Sequence, residues 1–358
     1  MPINIYNFGA GPATLPKTVI EKITAQLDNF TDGMSIMEIS HRSKAFKDFA
    51  SHSEKNLRSL LKIDDNYAVL FLQGGATQQF SMVPMNLANQ DTVDYLITGA
   101  WSKKAADYAA YHCKLNVVSD SSENNFTDVS SSHKWTHTKD ADYFYYCANE
   151  TIHGLEIHQL PDVKAPIVSD MSSTLCTRPI DIKKYGLIFA GAQKNLGIAG
   201  LTIVIAKKDL IADKAKDLPP LMRFESHYNE DSLLNTSPVF PWYVAGLVFE
   251  WIIEQGGLDK MSKLNQSKAS ILYNYIDNSA LYQNKVNPKF RSWVNIPFIL
   301  TKKNLDEKFL KLSSDAGFKN LKGHRTVGGM RASVYNAMPI KAITELIAFM
   351  EEFKNDNL

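Results

Sequence analysis

Gly186-Leu-Ile-Phe-Ala-Gly-Ala-Gln-Lys194-Asn-Leu-Gly-Ile-Ala-Gly200 links two apolar runs, Leu187 to Ala190 and Leu201 to Ala206, through one lysine among small residues. Both runs are near-continuously apolar, the pattern of strands covered on both faces. The connection of about ten residues leaves little room for a crossover helix, so one of the pair is expected to run antiparallel. Keeping Lys194 charged in such company is costly. Desolvation lowers a lysine's pKa, and the neutral amine attacks carbonyl carbons. An aldehyde cofactor held as an imine would account for the setting. By itself the residue would read as a surface lysine in a turn. Asp170, closing an earlier strand, turns the reading towards a site.

Outward from this stretch, short apolar runs recur at Tyr67–Leu72, Val93–Thr98, Leu115–Val118, Asp142–Cys147 and Pro166–Asp170. Helical patterns such as Gln78–Leu87 and Ser102–Tyr111 fall between them. The alternation predicts an α/β fold with a mainly parallel sheet flanked by helices. Pro219-Pro220 breaks the pattern, a helix is expected from Pro241 to Gln255, and Gly256-Gly257 stops it. Beyond it the order changes to helix (Leu258–Asn278), strand (Ser292–Leu300), helix (Leu305–Ala316), strand (Met330–Ser333) and helix (Ile340–Lys354). A large domain over 16–257 and a smaller α+β domain over 258–358, joined by the segment 1–15, follow from this. Ser119–Ser132, rich in serine, is expected to be a surface excursion.

The chain has 358 residues, 44% of them hydrophobic and 22% charged, enough for two domains with cores of their own. A net charge of +1 gives no electrostatic reason to expect nucleic acid or an anionic membrane. Cys113, Cys147 and Cys176 are odd in number and widely spaced, which fits a reducing compartment. With no basic-then-apolar leader at the start and no bilayer-length apolar stretch, a soluble cytoplasmic protein is expected.

Asp170 stands at the carboxyl end of its strand, where open α/β sheets bind ligands, and a carboxylate there can keep a pyridine nitrogen protonated. An N-cap or turn aspartate is the plainer alternative. Gln73-Gly-Gly-Ala-Thr-Gln-Gln-Phe80 opens a helix after a strand, a junction whose backbone N–H groups can meet a phosphate. Neither a G-K-[ST] ending nor G-x-G-x-x-G is present, and a plain turn reads equally well. Trp101 could stack on a flat cofactor or fill a core. His41-Arg42, His324-Arg325 and the glycine-flanked Arg331 suggest a substrate with two anionic ends, since arginine grips carboxylate and phosphate with a fork. Singly, each would be a solvated surface charge. His133-Lys-Trp-Thr-His137 lacks a zincin's glutamate, so no metal site is expected. Phe8-Gly-Ala-Gly-Pro-Ala lacks the third glycine and the context of a dinucleotide fingerprint.

Taken together, seven stretches resemble the phosphoserine aminotransferase family, class V enzymes of the fold-type-I pyridoxal phosphate (PLP) group. They are Asn7-Phe-Gly-Ala-Gly-Pro-Ala-Thr-Leu-Pro16, Met37-Glu-Ile-Ser-His-Arg-Ser43, the Gly74-Gly-Ala-Thr-Gln-Gln-Phe80 turn, Ala148-Asn-Glu-Thr-Ile-His-Gly154, Gly191-Ala-Gln-Lys-Asn195, Leu234-Asn-Thr-Ser-Pro238 and Gly328-Gly-Met-Arg-Ala-Ser-Val-Tyr-Asn-Ala-Met-Pro339. The resemblance implies PLP on Lys194, with Asp170 as partner of the pyridine nitrogen, Trp101 stacked on the ring and Thr151 at the ring oxygen. It implies a phosphate cup from Ala76, Thr77 and Gln193, completed by Asn235 and Thr236 of a second subunit in a homodimer. Arg331 would take the α-carboxylate. His41, Arg42, His324 and Arg325, some across the dimer, would take the phosphate or the far carboxylate. Thr77 stands where some members carry arginine, and Ala10 where some carry a hydroxyl residue. Both departures lie at the site's edge and bear on affinity rather than chemistry.

The activity implied is reversible amino transfer between L-glutamate and 3-phosphohydroxypyruvate, giving 2-oxoglutarate and O-phospho-L-serine. The vitamin B6 precursor 4-phosphohydroxy-L-threonine is a further candidate substrate. The rival readings are another class V aminotransferase with a different small anionic substrate, a cysteine desulfurase, or an anion-binding protein without catalysis. No cysteine follows Lys194, against a desulfurase. The lysine, aspartate and tryptophan together argue against loss of chemistry.

Overall fold

The computed structural model describes residues 4–89, 92–212 and 215–357. The outermost residues of the expected domains, 1–3 and 358, lie outside them.

Strand β1 (Tyr6–Asn7) precedes helices α1 (Lys17–Gln26) and α2 (Lys44–Leu61). Next come β2 (Tyr67–Gln73), α3 (Gln79–Leu87), β3 (Thr92–Ile97), α4 (Ala100–Ala109), β4 (Lys114–Asp120) and β5 (Phe144–Cys147). A small hairpin, β6 (Asn149–Glu150) and β7 (Leu155–Glu156), leads to β8 (Ile167–Asp170), β9 (Leu187–Gly191) and β10 (Leu201–Lys207). Helices α5 (Lys208–Ile211), α6 (Phe224–Asn229), α7 (Val239–Glu254) and α8 (Gly257–Asp277) follow. The chain ends with β11 (Tyr282–Gln283), β12 (Asn295–Leu300), α9 (Asp306–Asp315), β13 (Phe318–Lys319), β14 (Met330–Ser333) and α10 (Ile340–Asn355).

Seven strands form one sheet in the order β2-β10-β9-β8-β5-β3-β4. Strand β10 runs antiparallel to both neighbours, and the other pairings in the sheet are parallel. The short link around Lys194 thus has the consequence expected of it. Because β2, β3, β5, β8 and β9 point the same way, the segments leaving Gln73, Ile97, Cys147, Asp170 and Gly191 emerge along one edge. Both faces are covered. One core gathers Phe46, Leu57, Ile188 and Trp242 beneath α2 and α7; the other gathers Leu70, Phe80, Tyr95 and Phe189 beneath α3 and α4.

Helices α1 and α2 are not among the expected elements. The α2 signal is an apolar face, Phe46, Ala50, Leu57 and Leu61, on a chain otherwise rich in charge. Ser43 caps it by accepting the Phe46 N–H, and Lys62 ends it in the left-handed conformation (φ 54°). Helix α7 is apolar almost all round and accordingly buried. Gly246 admits α2 to it closely: a Cβ there would stand 2.5 Å from Phe49 Cζ.

The smaller sheet is antiparallel in the order β11-β12-β14 and packs with α8, α9 and α10 around Phe298, Phe309 and Leu346. Strand β1 pairs in parallel with β13, tying the beginning of the chain to this part. The expected strand from Ser292 starts at Asn295 instead, because Ser292 is used as a turn: its Oγ accepts the Val294 and Asn295 N–H groups.

Candidate active site

Lys194 lies in the turn that leaves β9, half-buried, with Nζ donating to Thr151 Oγ1 at 2.7 Å. Burial pulls its pKa below that of an ordinary lysine, and the carboxylate of Asp170 works against that pull. Asp170 ends β8, 6% exposed, and its Oδ1 accepts the Ser172 N–H at 2.9 Å. Its carboxyl is pushed up by burial and drawn back by Lys194 and by Ser172. The Trp101 ring centroid is 5.7 Å from Lys194 Nζ. The indole N–H of Trp101 is buried without a hydrogen-bond partner. Strands β6, β8 and β9 and helix α4 thus bring an amine, an acid, a hydroxyl and an aromatic face to one edge.

The cup residues adjoin this group. Ala76 and Thr77 form the 3₁₀ turn that runs into α3, after Gly74 (φ 104°). A Cβ on Gly191 would stand 2.7 Å from Gln193 Oε1 and 3.3 Å from Ala76 Cβ, so the two segments meet there. A Cβ on Gly75 would meet nothing within 4 Å, which leaves room beside the N-terminus of α3.

Arg331 reaches in from β14 of the smaller sheet. Its Nη1 donates to the Thr151 carbonyl at 3.2 Å, and its Nε is buried with no partner. A buried guanidinium with an idle donor is set for an anion. His324 and Arg325 lie in the loop before β14. Burial, then the charges of Arg331 and Arg325, hold the His324 imidazole below its usual range. His153, whose ring is tilted against Phe126 at 4.6 Å between centroids, is lowered to about 4 by burial and by His324.

His41 and Arg42 are elsewhere. Arg42 lines a hollow of about 430 Å³ with Lys47, Glu54, Asp231, Leu234 and Trp242. The Nε2 of His41 is buried without a partner. Asn235 donates to Gln73 Oε1 of its own chain at 3.3 Å, and Thr236 is exposed. Among the described residues, no hydrogen bond or ion pair links His41, Arg42, Asn235 or Thr236 to Lys194, Asp170 or Arg331.

Sequence reading passes over several residues that frame the site. Phe8-Gly-Ala-Gly-Pro-Ala, no dinucleotide fingerprint but part of a stretch that carries the family resemblance, runs beside Lys194: a Cβ on Gly11 would stand 3.4 Å from Lys194 Cγ. Tyr335 donates to the Ala10 carbonyl at 2.7 Å and accepts from Asn295 Nδ2 at 3.1 Å. Asn149 donates to Asn295 Oδ1 and the Asn336 N–H to Asn195 Oδ1, buried bonds that join the two parts, while Asn195 also donates to the Ser173 carbonyl and Asn295 to the Ser333 hydroxyl. Asn149, Asn195 and Asn336 fall within the stretches that carry the family resemblance, but nothing local in the sequence gives any of the four a role.

The family model described as Aminotransferase class-V matches residues 5–346. The phosphoserine aminotransferase of Vesicomyosocius okutanii is 48% identical over 355 residues, 99% of each chain. A solved phosphoserine aminotransferase from Bacillus circulans subsp. alkalophilus superposes with a TM-score of 0.97 at 40% identity, covering 99% of each chain. The PLP-bound phosphoserine aminotransferase from Trichomonas vaginalis does so with a TM-score of 0.94 at 40% identity, covering 97% of this chain and all of its own. The chain belongs to the class V aminotransferases, and within them to the phosphoserine aminotransferase family.

Proposed function

We propose that the protein uses pyridoxal phosphate to transfer an amino group reversibly between L-glutamate and 3-phosphohydroxypyruvate, giving 2-oxoglutarate and O-phospho-L-serine. The observation that carries this reading is the half-buried Lys194 amine, 2.7 Å from the Thr151 hydroxyl, with buried Asp170 closing the neighbouring strand β8. The orphaned Arg331 Nε, the open space at Gly75 and the unpartnered Trp101 indole suit a flat, doubly charged group and an acidic substrate.

Bound there, the pyridoxal ring supplies an aldehyde carbon and an electron sink. Lys194, with its pKa lowered, would be the amine that holds that carbon, and its Nζ would serve as general base and then general acid for the substrate Cα proton. Asp170 would keep the ring nitrogen protonated. Trp101 would cover the ring face and Thr151 would bond the ring oxygen. Ala76, Thr77 and Gln193 would hold the cofactor phosphate. Arg331 would orient the α-carboxylate. The second half-reaction retraces these steps from 3-phosphohydroxypyruvate, so the kinetics are ping-pong.

His41, Arg42, Asn235 and Thr236 act in trans in this reading. A homodimer places them in the partner's site, with Asn235 and Thr236 at the cofactor phosphate. His41 and Arg42 there join His324 and Arg325 around the substrate phosphate or the far carboxylate of glutamate. Residues 16–257 form the cofactor domain, and 258–358 with 1–15 the smaller one, in keeping with the β1–β13 pairing. Three widely spaced cysteines, an odd number, support a cytoplasmic reading. No helix among the described residues is long and apolar enough to cross a membrane.

The test is an assay of purified protein with glutamate and 3-phosphohydroxypyruvate, set against unphosphorylated hydroxypyruvate; 4-phosphohydroxy-L-threonine, already an amine, is assayed in the reverse direction with 2-oxoglutarate. Strong preference for the phosphorylated keto acid over hydroxypyruvate is expected, and equal rates would refute the substrate. Lys194→Ala should abolish turnover; substantial amino transfer by that variant without added amine would refute the role of Lys194.

A further inference from the structure

Glu150 is fully buried (0% exposed), yet it touches none of Lys194, Asp170 and Arg331 by hydrogen bond. Its carboxylate faces the start of α4. Oε2 accepts the Trp101 N–H at 2.9 Å, while Oε1 accepts the Ser102 N–H at 2.8 Å and the Ser102 hydroxyl at 2.6 Å. The residue at the N-cap of α4 is Gly99, which has no side chain to offer. A carboxylate from β6 therefore does what a local cap would do, and its charge complements the positive end of the helix. Gly99 is bare for a reason: a Cβ there would stand 2.4 Å from Glu150 Cδ.

A buried carboxylate is costly unless bonded, and this one spends its bonds on two successive residues of one helical turn. That turn carries Trp101. The indole N–H has no partner to orient the ring, which leaves its direction to side-chain packing and to the backbone beneath it. Glu150 also precedes Thr151, whose hydroxyl accepts from Lys194 and whose carbonyl accepts from Arg331. One dipeptide therefore connects the stacking face, the amine and the carboxylate-binding arginine.

We infer that Glu150 is a positioning residue for the cofactor: its carboxylate clamps the first turn of α4 and so presents the Trp101 indole to the ring. The inference rests on the pyridoxal phosphate reading above. The charge has a second effect, since Glu150 adds to the negative surroundings that favour a protonated nitrogen at Lys194.

Glu150→Gln keeps the size, removes the charge and turns an NH₂ towards one of the three donors. In the full-length apoprotein, the dissociation constant for pyridoxal phosphate, measured by equilibrium dialysis, should rise about tenfold or more. The circular dichroism of the cofactor's visible band should weaken per molecule bound. The midpoint of that band's pH titration should fall. In a Trp101→Ala background, adding Glu150→Gln should weaken binding by less than about twofold, because the clamp then has no indole to present. Equal losses in both backgrounds would make Glu150 a general structural residue and overturn the inference. Unaltered binding by Glu150→Gln would overturn it too. Should that variant not fold, Ser102→Ala deletes the 2.6 Å bond, along with the bonds Ser102 Oγ accepts from the Thr98 and Gly99 N–H groups, and leaves both backbone bonds to Glu150 in place. It should weaken binding roughly threefold with Trp101 present and leave it unaltered without; the same loss in both backgrounds counts against the clamp. Failure of the unsubstituted apoprotein to bind pyridoxal phosphate would instead refute the cofactor reading itself.

Discussion

Arg331 shows how a single residue joins the two parts of the chain at the site. It is held on β14 opposite Pro297, gives one Nη1 bond to the Thr151 carbonyl and keeps Nε buried and idle. Lysine at this position would carry the charge but not the planar fork. Arg331→Lys should raise KM for glutamate by about 10- to 100-fold, the equivalent of one charge-assisted bond to a buried anion. Steady-state kinetics at saturating keto acid would show it, and a KM within twofold of the unsubstituted enzyme would remove Arg331 from the α-carboxylate. Residues such as Lys194, Asp170 and Trp101 are legible in the sequence because each stands at or within a few residues of the carboxyl end of an apolar strand, where local pattern and chemistry coincide. Glu150, Tyr335 and the four asparagines are not, because their meaning lies in partners far along the chain. Tyr335, for example, bonds a carbonyl 325 positions away.

At the level of elements, β2, β3, β5, β8, β9 and β10 of the large sheet could be read closely because burial on both faces leaves a continuous apolar signature, whereas α2 hides its apolar face among charges and the two-residue strands β1, β6, β7, β11 and β13 are too short to leave one. Helix α8 shows a harder case. Its buried face includes Asn265 and Lys268 among leucines and methionine. The Lys268 amine, 0% exposed, donates to the carbonyls of Tyr335 at 2.6 Å and Met338 at 3.1 Å, in the turn between β14 and α10. No carboxylate pairs with it among the described residues, and burial pushes its pKa down to about 7. The unfolded chain titrates this lysine near its ordinary value of about 10.4. Between these values the unfolded state holds a proton that the folded state has released, so stability rises with pH, by up to about 1.4 kcal/mol per pH unit. Below pH 7 both states are charged and the burial penalty stands in full. Urea unfolding at pH 6.5 and pH 9 should therefore show the unsubstituted protein gaining on Lys268→Met as pH rises. A difference between the two proteins that is the same at both pH values would mean that Lys268 stays charged when folded.

On the scale of the whole molecule, no hydrogen bond or ion pair among the described residues joins Arg42 to the residues around Lys194 within one chain. Lys194, Asp170, Thr151, Trp101 and Arg331 share the carboxyl edge of the large sheet. Arg42 opens instead into the hollow by Leu234 and Trp242, on the α2–α7 side. A homodimer that exchanges Arg42 between protomers makes a quantitative demand on mixtures. Lys194→Ala removes the amine from its own site, and Arg42→Ala removes a cation from the partner's. A protomer of each kind, paired, leaves one site carrying both lesions and the other carrying none. Equal amounts of the two variants, unfolded and refolded together, give half mixed dimers, so about one quarter of all sites are intact. Activity should climb from near zero to about a quarter of the unsubstituted level after co-refolding, and should not climb when the two are mixed as folded dimers that do not exchange. Were Arg42 to serve its own chain's site, every mixed dimer would hold one site lacking the amine and one lacking the arginine, and co-refolding would recover nothing.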